Sequence, residues 1–424
     1  MKNFFKYIVA STLALLARAV VRRYRPRIVM VTGSVGKTST KDAVATVLAT
    51  RFSVRKSEKS FNSEFGVPFT IFGVENPWNN PFAWFSLIQR ALALLLLPNH
   101  YPNMLVLEVG ADRPGDLARI LRIAKPDAVV VTRLPDVPVH VEAYASPEAV
   151  REEEFSPAYV LPDSAPLIIS ADDSYALERV ESTPARIISY GIAPDATVWV
   201  SNIDFFESEG KVVGMSADVA LSGEQGKLVV KGSVGTTQIS PAAAALAVAT
   251  AFSIPLTEAL VALEAYEPPP GRGRLLMGKN GSVIIDDSYN ASPVAVEQAL
   301  RNLKAFPHTA RRIAVLGDML ELGRYSVIEH ERIGALARES ADLVAAVGIR
   351  TRAFANTEGK AEVISFDNAQ VAADALVELV QPGDVILVKG SQSIRTERIV
   401  KALLANPADA QHLVRQERKW QERG

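Results

Sequence analysis

The chain of 424 residues contains no cysteine. Disulfides, thiol nucleophiles, iron–sulfur clusters and thiolate zinc sites are therefore excluded, and the composition fits a reducing compartment. An excess of one charge is also missing. The 46 basic and 47 acidic side chains leave a formal net charge of −1, which excludes a general nucleic-acid binder. The eleven uncharged, mostly apolar residues between Lys6 and Arg18 fall short of the ~20 needed to span a bilayer. What is present is 48% apolar and 22% charged, enough for a large core and incompatible with global disorder. The length implies two or three domains.

Acidic residues are absent from the first 27 positions, which hold seven basic ones: Lys2, Lys6, Arg18, Arg22, Arg23, Arg25 and Arg27. With this +7 set apart from the total of −1, the remaining chain carries −8. Arg22, Arg23 and Arg25 follow the apolar run, and no small-residue cleavage site appears, which argues against a secretory signal. On a helical wheel Asn3, Ser11, Arg18 and Arg22 share one side. Ile8, Val9, Leu13, Leu16 and Val20 fall mostly on the other. Two readings stand: a basic amphipathic helix lying on an anionic membrane, or a helix docked on its own domain. A second apolar stretch, 82–97, is broken only by Ser86, Gln89 and Arg90. Alone it reads as a buried or interface helix. Together, residues 1–26 and 82–97 would form one membrane-facing patch and give a cytoplasmic protein peripheral contact with the inner face of the membrane.

From Arg27 onward β-branched runs alternate with helical patterns. Residues 28–31, 105–109, 128–132 and 167–170 read as buried strands, and 37–50, 147–154 and 241–252 as helices. The pattern restarts with strands at 283–285, 313–316, 343–347 and 385–388 and helices at 293–305, 326–339, 369–380 and 396–404. Such alternation predicts an α/β protein with mostly parallel sheets covered on both faces. Residues 195–232 read as antiparallel strands turning at Glu209-Gly210 and Ser222-Gly223. The run Glu267-Pro268-Pro269-Pro270-Gly271 is the one strong linker signal. It divides the chain into a basic apolar helix (1–26), a central α/β domain (27–267) and a Rossmann-like C-terminal domain (268–424).

The strand at 28–31 runs into Thr32-Gly33-Ser34-Val35-Gly36-Lys37-Thr38-Ser39, where Lys-Thr opens a helix. Glycines let backbone N–H groups curl around phosphate oxygens, and the helix N-terminus adds positive potential. Lys37 would reach the β- and γ-phosphates, and the Thr38 hydroxyl would ligate Mg²⁺. The standard spacing needs a glycine where Val31 stands, so this is a shortened form. It marks a nucleoside triphosphate site without specifying a reaction. Glu108 ends an apolar strand, on the edge where ligands of parallel sheets sit. A buried carboxylate there needs a metal or an arginine such as Arg113. His140, one of five histidines, follows the strand at 128–132 on the same presumptive edge. Glu154, at the end of Glu152-Glu153-Glu154, is close enough in sequence to bring a carboxylate back to the same metal.

These residues resemble the Mur ligase family over about 27–405. The N-terminal part matches through 32–40, through Asn62-Ser63-Glu64-Phe65-Gly66-Val67-Pro68, and through Glu108 and His140. The C-terminal part is similar to the MurF branch, which adds D-alanyl-D-alanine to a UDP-muramoyl-tripeptide. It matches through Asp286-Asp287-Ser288-Tyr289-Asn290-Ala291-Ser292-Pro293, Val315-Leu316-Gly317-Asp318-Met319-Leu320-Glu321-Leu322-Gly323 and Val388-Lys389-Gly390-Ser391. The resemblance implies an ATP- and Mg²⁺-dependent carboxylate–amine ligase. ATP would lie between the central and C-terminal domains, the substrate would pass through an acyl phosphate, and domain closure would exclude water. Lys37 and the loop residues Gly33, Ser34, Val35, Gly36, Thr38 and Ser39 would bind ATP. Thr38 and Glu108 would hold one Mg²⁺, and His140 the second. Arg272 would reach the phosphates, Asp286 or Asp287 the ribose, Asn290 the nucleotide, and Asn62 and Ser63 the substrate. The substrates would be a muropeptide-type peptide and an amine such as D-Ala-D-Ala.

Three departures from the family pattern stand out. Glu154 occupies the place of a lysine that the family carbamylates, so it would offer the second metal a shorter carboxylate. Pro241 stands at the place of an adenine-contacting asparagine, which leaves Gln238 as the substitute. Only 26 residues precede Arg27, where this branch carries a UDP-binding domain, so the UDP handle has no counterpart motif. Two other functions fit the same scaffold: a folylpolyglutamate-type ligase, and a non-catalytic nucleotide-binding subunit of a wall-synthesis complex.

Overall fold

The computed structural model describes residues 2–58, 61–77, 80–416 and 420, with side chains from residue 8 onward. The side chains of Lys2, Asn3 and Lys6 therefore lie outside the described residues. The chain forms two compact units. One comprises Met1–Ser201, Asp218–Leu228 and Ser240–Tyr266; the other comprises Asn202–Ala217, Val229–Ile239 and Glu267–Gly424.

The first unit opens with α1 (Lys2–Tyr24), β1 (Arg27–Thr32), α2 (Lys37–Leu48), β2 (Val54–Lys56), α3 (Gly66–Phe72) and α4 (Pro81–Leu96). It continues with β3 (Met104–Glu108), α5 (Asp116–Ile123), β4 (Ala128–Val131), α6 (Pro147–Tyr159), β5 (Pro166–Ser170), α7 (Ser174–Arg179) and β6 (Arg186–Gly191). Three strands that carry residues of both units follow: β7 (Val198–Ser208), β8 (Lys211–Leu221) and β9 (Glu224–Lys231). Then come α8 (Thr236–Ala251), which also carries residues of both units, and α9 (Leu256–Leu263). The sheet order is β2-β3-β1-β4-β5-β6-β7-β8-β9. β1 lies between β3 and β4, parallel to both, with Val31 opposite Glu108 and Thr32 opposite Val131. This register sets Glu108 beside the end of β1. At the expected turns, Glu209 and Gly210 have φ of 51° and 71°, and Ser222 and Gly223 have 49° and 88°. Two successive positive φ values suit a tight two-residue turn between twisted strands.

The N-terminal helix is docked. Leu13, Ala17 and Val20 of α1 are buried in the same core as Ile28, Leu107 and Val131. Burial of a Leu or Val side chain contributes about 2 kcal/mol. Ile8, on the apolar side of the wheel, is exposed. Two helices extend past their expected ends. α6 continues through Pro157 and α8 begins at Thr236, so Pro241 sits inside a helix rather than at its start. Each proline forgoes one backbone bond, and the surrounding turns hold the helix across it.

The second unit holds β10 (Arg274–Met277), β11 (Val283–Asp287), α10 (Pro293–Ala305), β12 (Arg311–Gly317), α11 (Ser326–Ser340) and β13 (Leu343–Val347). β14 (Glu362–Phe366), α12 (Ala369–Leu379), β15 (Asp384–Lys389) and α13 (Glu397–Leu403) complete it. The sheet order is β10-β11-β15-β12-β13-β14, with only β10 antiparallel to its neighbour. Asp287 of β11 is in register with Lys389 of β15. Ile284, Val315, Ile386 and Val388 form the core with Leu376 of α12 and Val400 of α13.

Candidate active site

The loop between β1 and α2 is shaped by two glycines. Gly33 has φ 117°, and a Cβ there would stand 2.3 Å from Thr132 Oγ1. Gly36, with φ 89°, precedes α2, and no side chain caps the helix. The first N–H groups of α2 lack carbonyl partners within the helix, which is the arrangement that receives phosphate oxygens. Ser34 N and Val35 N donate to the Arg133 carbonyl at 3.0 and 3.3 Å, tying the loop to the chain after β4. Ser39 is held through its carbonyl, which accepts from Tyr266 OH at 3.1 Å.

Glu108, at the end of β3, and Thr38, in the first turn of α2, meet beside the end of β1. Thr38 Oγ1 donates to Glu108 Oε1 at 3.1 Å. Glu108 is 1% exposed, and its Oε2 is buried with no hydrogen-bond partner. A buried carboxylate oxygen without a donor is costly. A hydroxyl, a carboxylate and a spare oxygen form an oxygen-only donor set suited to a hard cation, so the residues fit Mg²⁺.

Glu154 is 2% exposed, but it is turned to the loop. Its carboxylate accepts from Ser34 Oγ and lies 3.5 Å from Lys37 Nζ. Its backbone carbonyl accepts from Thr32 Oγ1 at 2.7 Å. Lys37 Nζ also donates to the Gly33 carbonyl. His140, in the left-handed region with φ 68°, has its Nε2 3.5 Å from Asp112 Oδ1. Among the described residues no three His, Asp or Glu side chains gather into a metal-binding group. The expected ligands Glu108, His140 and Glu154 are thus not brought together, because the ammonium of Lys37 and the Ser34 hydroxyl claim Glu154. The neighbouring Glu153 accepts from Gly115 N and Leu117 N at 3.1 and 3.0 Å, at the start of α5.

Gly110, which sequence reasoning passed over, brings Asn62 to this edge. Its N–H donates to the Asn62 carbonyl at 3.1 Å. A Cβ at Gly110 would lie 3.0 Å from Asn62 Nδ2 and 3.3 Å from Lys37 Cε. Ser63 instead supports α3: its Oγ accepts from Gly66 N at 3.3 Å and its carbonyl from Val67 N at 3.0 Å.

The second unit assembles its own cluster. Arg272 stacks over the Tyr289 ring at 4.1 Å. Its carbonyl accepts from Ser233 Oγ at 2.7 Å and Gln238 Nε2 at 2.8 Å. Gln238 Oε1 is buried without a partner, so this amide retains an acceptor. Asp287 is paired with Lys389 Nζ at 2.6 Å, and the same ammonium donates to the Asn290 carbonyl at 3.0 Å. Burial lowers the Lys389 pKa, opposed by Asp287. Asn290 Oδ1 accepts from Ala291 N at 2.9 Å. Arg415, for which the sequence held no signal beyond a basic residue near the end, donates to the Ser288 carbonyl at 3.2 Å and to that of Tyr289. It also pairs with Glu397 at 2.9 Å. Asp318, in the branch-specific motif, accepts from Ile349 N, Arg350 N and Thr351 N at 2.9 to 3.2 Å and so orders the loop after β13.

Asp286 is fully buried. One oxygen accepts from Ser288 N and Oγ, and the other has no partner. Burial raises its pKa from 3.8 to about 6. A raised carboxylate pKa means the unfolded chain releases its proton first. Stability therefore falls as pH rises from about 4 to about 6 and then levels off, by about 3 kcal/mol for a two-unit shift. Urea melts of wild type and Asp286→Asn should show this slope in the former and not in the latter. Identical slopes would remove the assignment.

Two family models match the chain: the Mur ligase middle domain over residues 31–249, and the Mur ligase glutamate ligase domain over 271–392. The UDP-N-acetylmuramoyl-tripeptide–D-alanyl-D-alanine ligase of Bacillus subtilis strain 168 is 28% identical, over 94% of this chain and 80% of the relative. The structure of a MurF ligase from Thermotoga maritima in complex with ADP superposes with a TM-score of 0.77 at 26% identity, covering 93% of this chain and 83% of that one. The folylpolyglutamate synthase of Mycobacterium tuberculosis, complexed with ADP, shares the fold with a TM-score of 0.65 at 14% identity, covering 92% and 94%.

Proposed function

The chain belongs to the Mur ligase family, and from that premise we propose that it is an ATP-dependent, ADP-forming ligase. It joins the carboxylate of a peptidoglycan-precursor peptide to the amine of D-alanyl-D-alanine. The observation that carries this reading is the convergence of Lys37, Ser34, Thr38 and Glu108 on one glycine-shaped loop. It is joined by curated relatives whose named reaction is this one.

The substrate carboxylate attacks the γ-phosphorus, ADP departs, and an acyl phosphate forms. The amine then attacks the acyl carbon, phosphate leaves, and the nitrogen loses a proton. The α2 N–H groups and Lys37 hold the phosphate oxygens, and the lysine ammonium supplies positive charge where negative charge gathers on the transferring group. Glu154 orients that ammonium through its 3.5 Å contact. Thr38 and Glu108 would hold Mg²⁺, which when bound neutralises phosphate charge. His140, beside Asp112, is the remaining candidate for a second cation. Asn62 approaches Lys37 across Gly110 and would position substrate. On the second unit, Arg272, Asp286, Asp287 and Asn290 would hold the nucleotide, with Gln238 Oε1 the acceptor for an adenine amine.

Glu108→Gln keeps the size of the side chain and removes its charge. It should raise the Mg²⁺ concentration for half-maximal turnover at least about tenfold. An unchanged Mg²⁺ requirement would contradict the assignment.

We place the reaction on the cytoplasmic side, where ATP is available, with peripheral membrane contact through residues 1–26 and 82–97. A polyglutamate-type ligase is the second reading, because the folylpolyglutamate synthase of Mycobacterium tuberculosis shares the fold. ATP-dependent phosphate release separates the two. Release with D-Ala-D-Ala and a muropeptide supports the first, release only with glutamate the second. ATP binding without turnover under any amine supports a non-catalytic subunit.

A further inference from the structure

Helices α1 and α4 of the first unit dock side by side. α1 buries Leu13, Ala17 and Val20, and α4 buries Leu87, Ala91 and Leu94. Their C-terminal ends are tied together. Tyr24 OH donates to the Leu94 carbonyl at 2.8 Å, and the Arg23 guanidinium donates to the carbonyls of Leu95 and Leu97. Val9, Leu16, Trp84, Ile88 and Leu95 pack against the same core, but other large apolar side chains of both helices lie outside it. Leu15 of α1 is 68% exposed, Phe82 and Phe85 of α4 are 82% and 63% exposed, and Leu92, Leu96 and Leu97 are exposed as well. Positions 82, 85, 92 and 96 recur at helical spacing, so they form one stripe along α4.

Isolated exposed leucines need no explanation, but a set of large apolar side chains on two touching helices does. The surrounding charge narrows what covers it. Arg18 and Arg22 are exposed on α1, Arg25 and Arg27 just beyond it, and neither helix contains an acidic residue. A second copy of this chain would bring arginines against arginines. A polar partner would leave the phenylalanines in water. An anionic bilayer satisfies both features, taking aromatic and leucine side chains into its interface while its headgroups neutralise the arginines. Among the described residues no helix is long and apolar enough to cross a membrane, so the contact is lateral.

We propose that the outer face of α1 and α4 is a docking surface for an anionic phospholipid bilayer. Phe82, Phe85 and Leu96 enter the interface and Arg18 and Arg22 contact the headgroups. The proposal deepens the functional reading above and rests on it only for which side of the membrane is used. It gives a ligase of the precursor pathway direct access to substrates held at that surface.

The test is co-sedimentation of the full chain with vesicles of pure phosphatidylcholine and of a 7:3 mixture with phosphatidylglycerol. The expected result is binding to the mixed vesicles, weakened by about 0.5 M salt as the Debye length shrinks. Binding should fall at least about tenfold in Phe82→Asp/Phe85→Asp, and its phosphatidylglycerol dependence should disappear in Arg18→Glu/Arg22→Glu. These residues are solvent-exposed, so both variants should keep the wild-type circular dichroism and ATP-dependent phosphate release. Three results would overturn the proposal: no binding to mixed vesicles, equal binding by the variants, or a dimer in solution that Phe82→Asp/Phe85→Asp disperses. Failure of the ligase reading would appear separately, in phosphate release and not in sedimentation.

Discussion

Replacement of Lys37 by alanine should lower kcat/KM for ATP-dependent ligation by roughly a thousandfold, about 4 kcal/mol of transition-state stabilisation. Lys37 opens α2, and its ammonium is held at the loop by the Gly33 carbonyl and the Glu154 carboxylate. No other lysine side chain is placed at this loop by the described hydrogen bonds or ion pairs. Lys41, the next along α2, is fully buried and committed to the Ser57 carbonyl and Asp42. The substitution also strands a carboxylate that is 3% exposed, so some loss of stability is expected as well. Thermal melts separate the two effects. A folded Lys37→Ala protein with activity within tenfold of wild type would remove Lys37 from the mechanism.

Glu154→Ala should cost roughly a hundredfold in kcat, and Glu154→Gln nearly as much, because what is lost is the charge that aligns Lys37. Since both side chains act on one phosphate position, Lys37→Ala/Glu154→Ala should be little worse than Lys37→Ala alone. Full additivity would mean that Glu154 works elsewhere, for instance on a cation near His140. Turnover unchanged at saturating Mg²⁺ in Glu154→Ala would remove the residue from the site.

The legible part of this molecule is the part whose signals are local. An apolar run leading into Gly33, Gly36 and Lys37 announces strand, loop and helix within a dozen residues, and the place of Glu108 at the end of a buried strand is legible from the apolar residues before it. Its meeting with Thr38 needs both the parallel pairing of β1 with β3 and the short loop that returns α2 to the end of β1. What stayed hidden depends on contacts distant in sequence. Glu154 is 117 positions from Lys37, and no periodicity reports which cation it will meet. Arg415 reaches back 126 positions to the loop after β11 from a polar tail that carries no pattern. α1 was ambiguous because its apolar residues exceed what one buried face requires, so the same wheel describes a docked helix and a surface-seeking one. In the structure it has a buried face and an exposed apolar one. Pro241 misled for a different reason: prolines favour the first turn of a helix, and here the helix starts a turn earlier.

In the proposed mechanism an acyl phosphate links ATP to amide formation. The most direct measurement is a single-turnover reaction of ATP and D-Ala-D-Ala with a muropeptide whose terminal carboxylate is labelled with ¹⁸O. The product and released phosphate are then analysed by mass spectrometry. The expected result is an amide product extended by D-Ala-D-Ala, ADP as the nucleotide product, and one ¹⁸O atom transferred to phosphate. Unlabelled phosphate, or AMP in place of ADP, would contradict it.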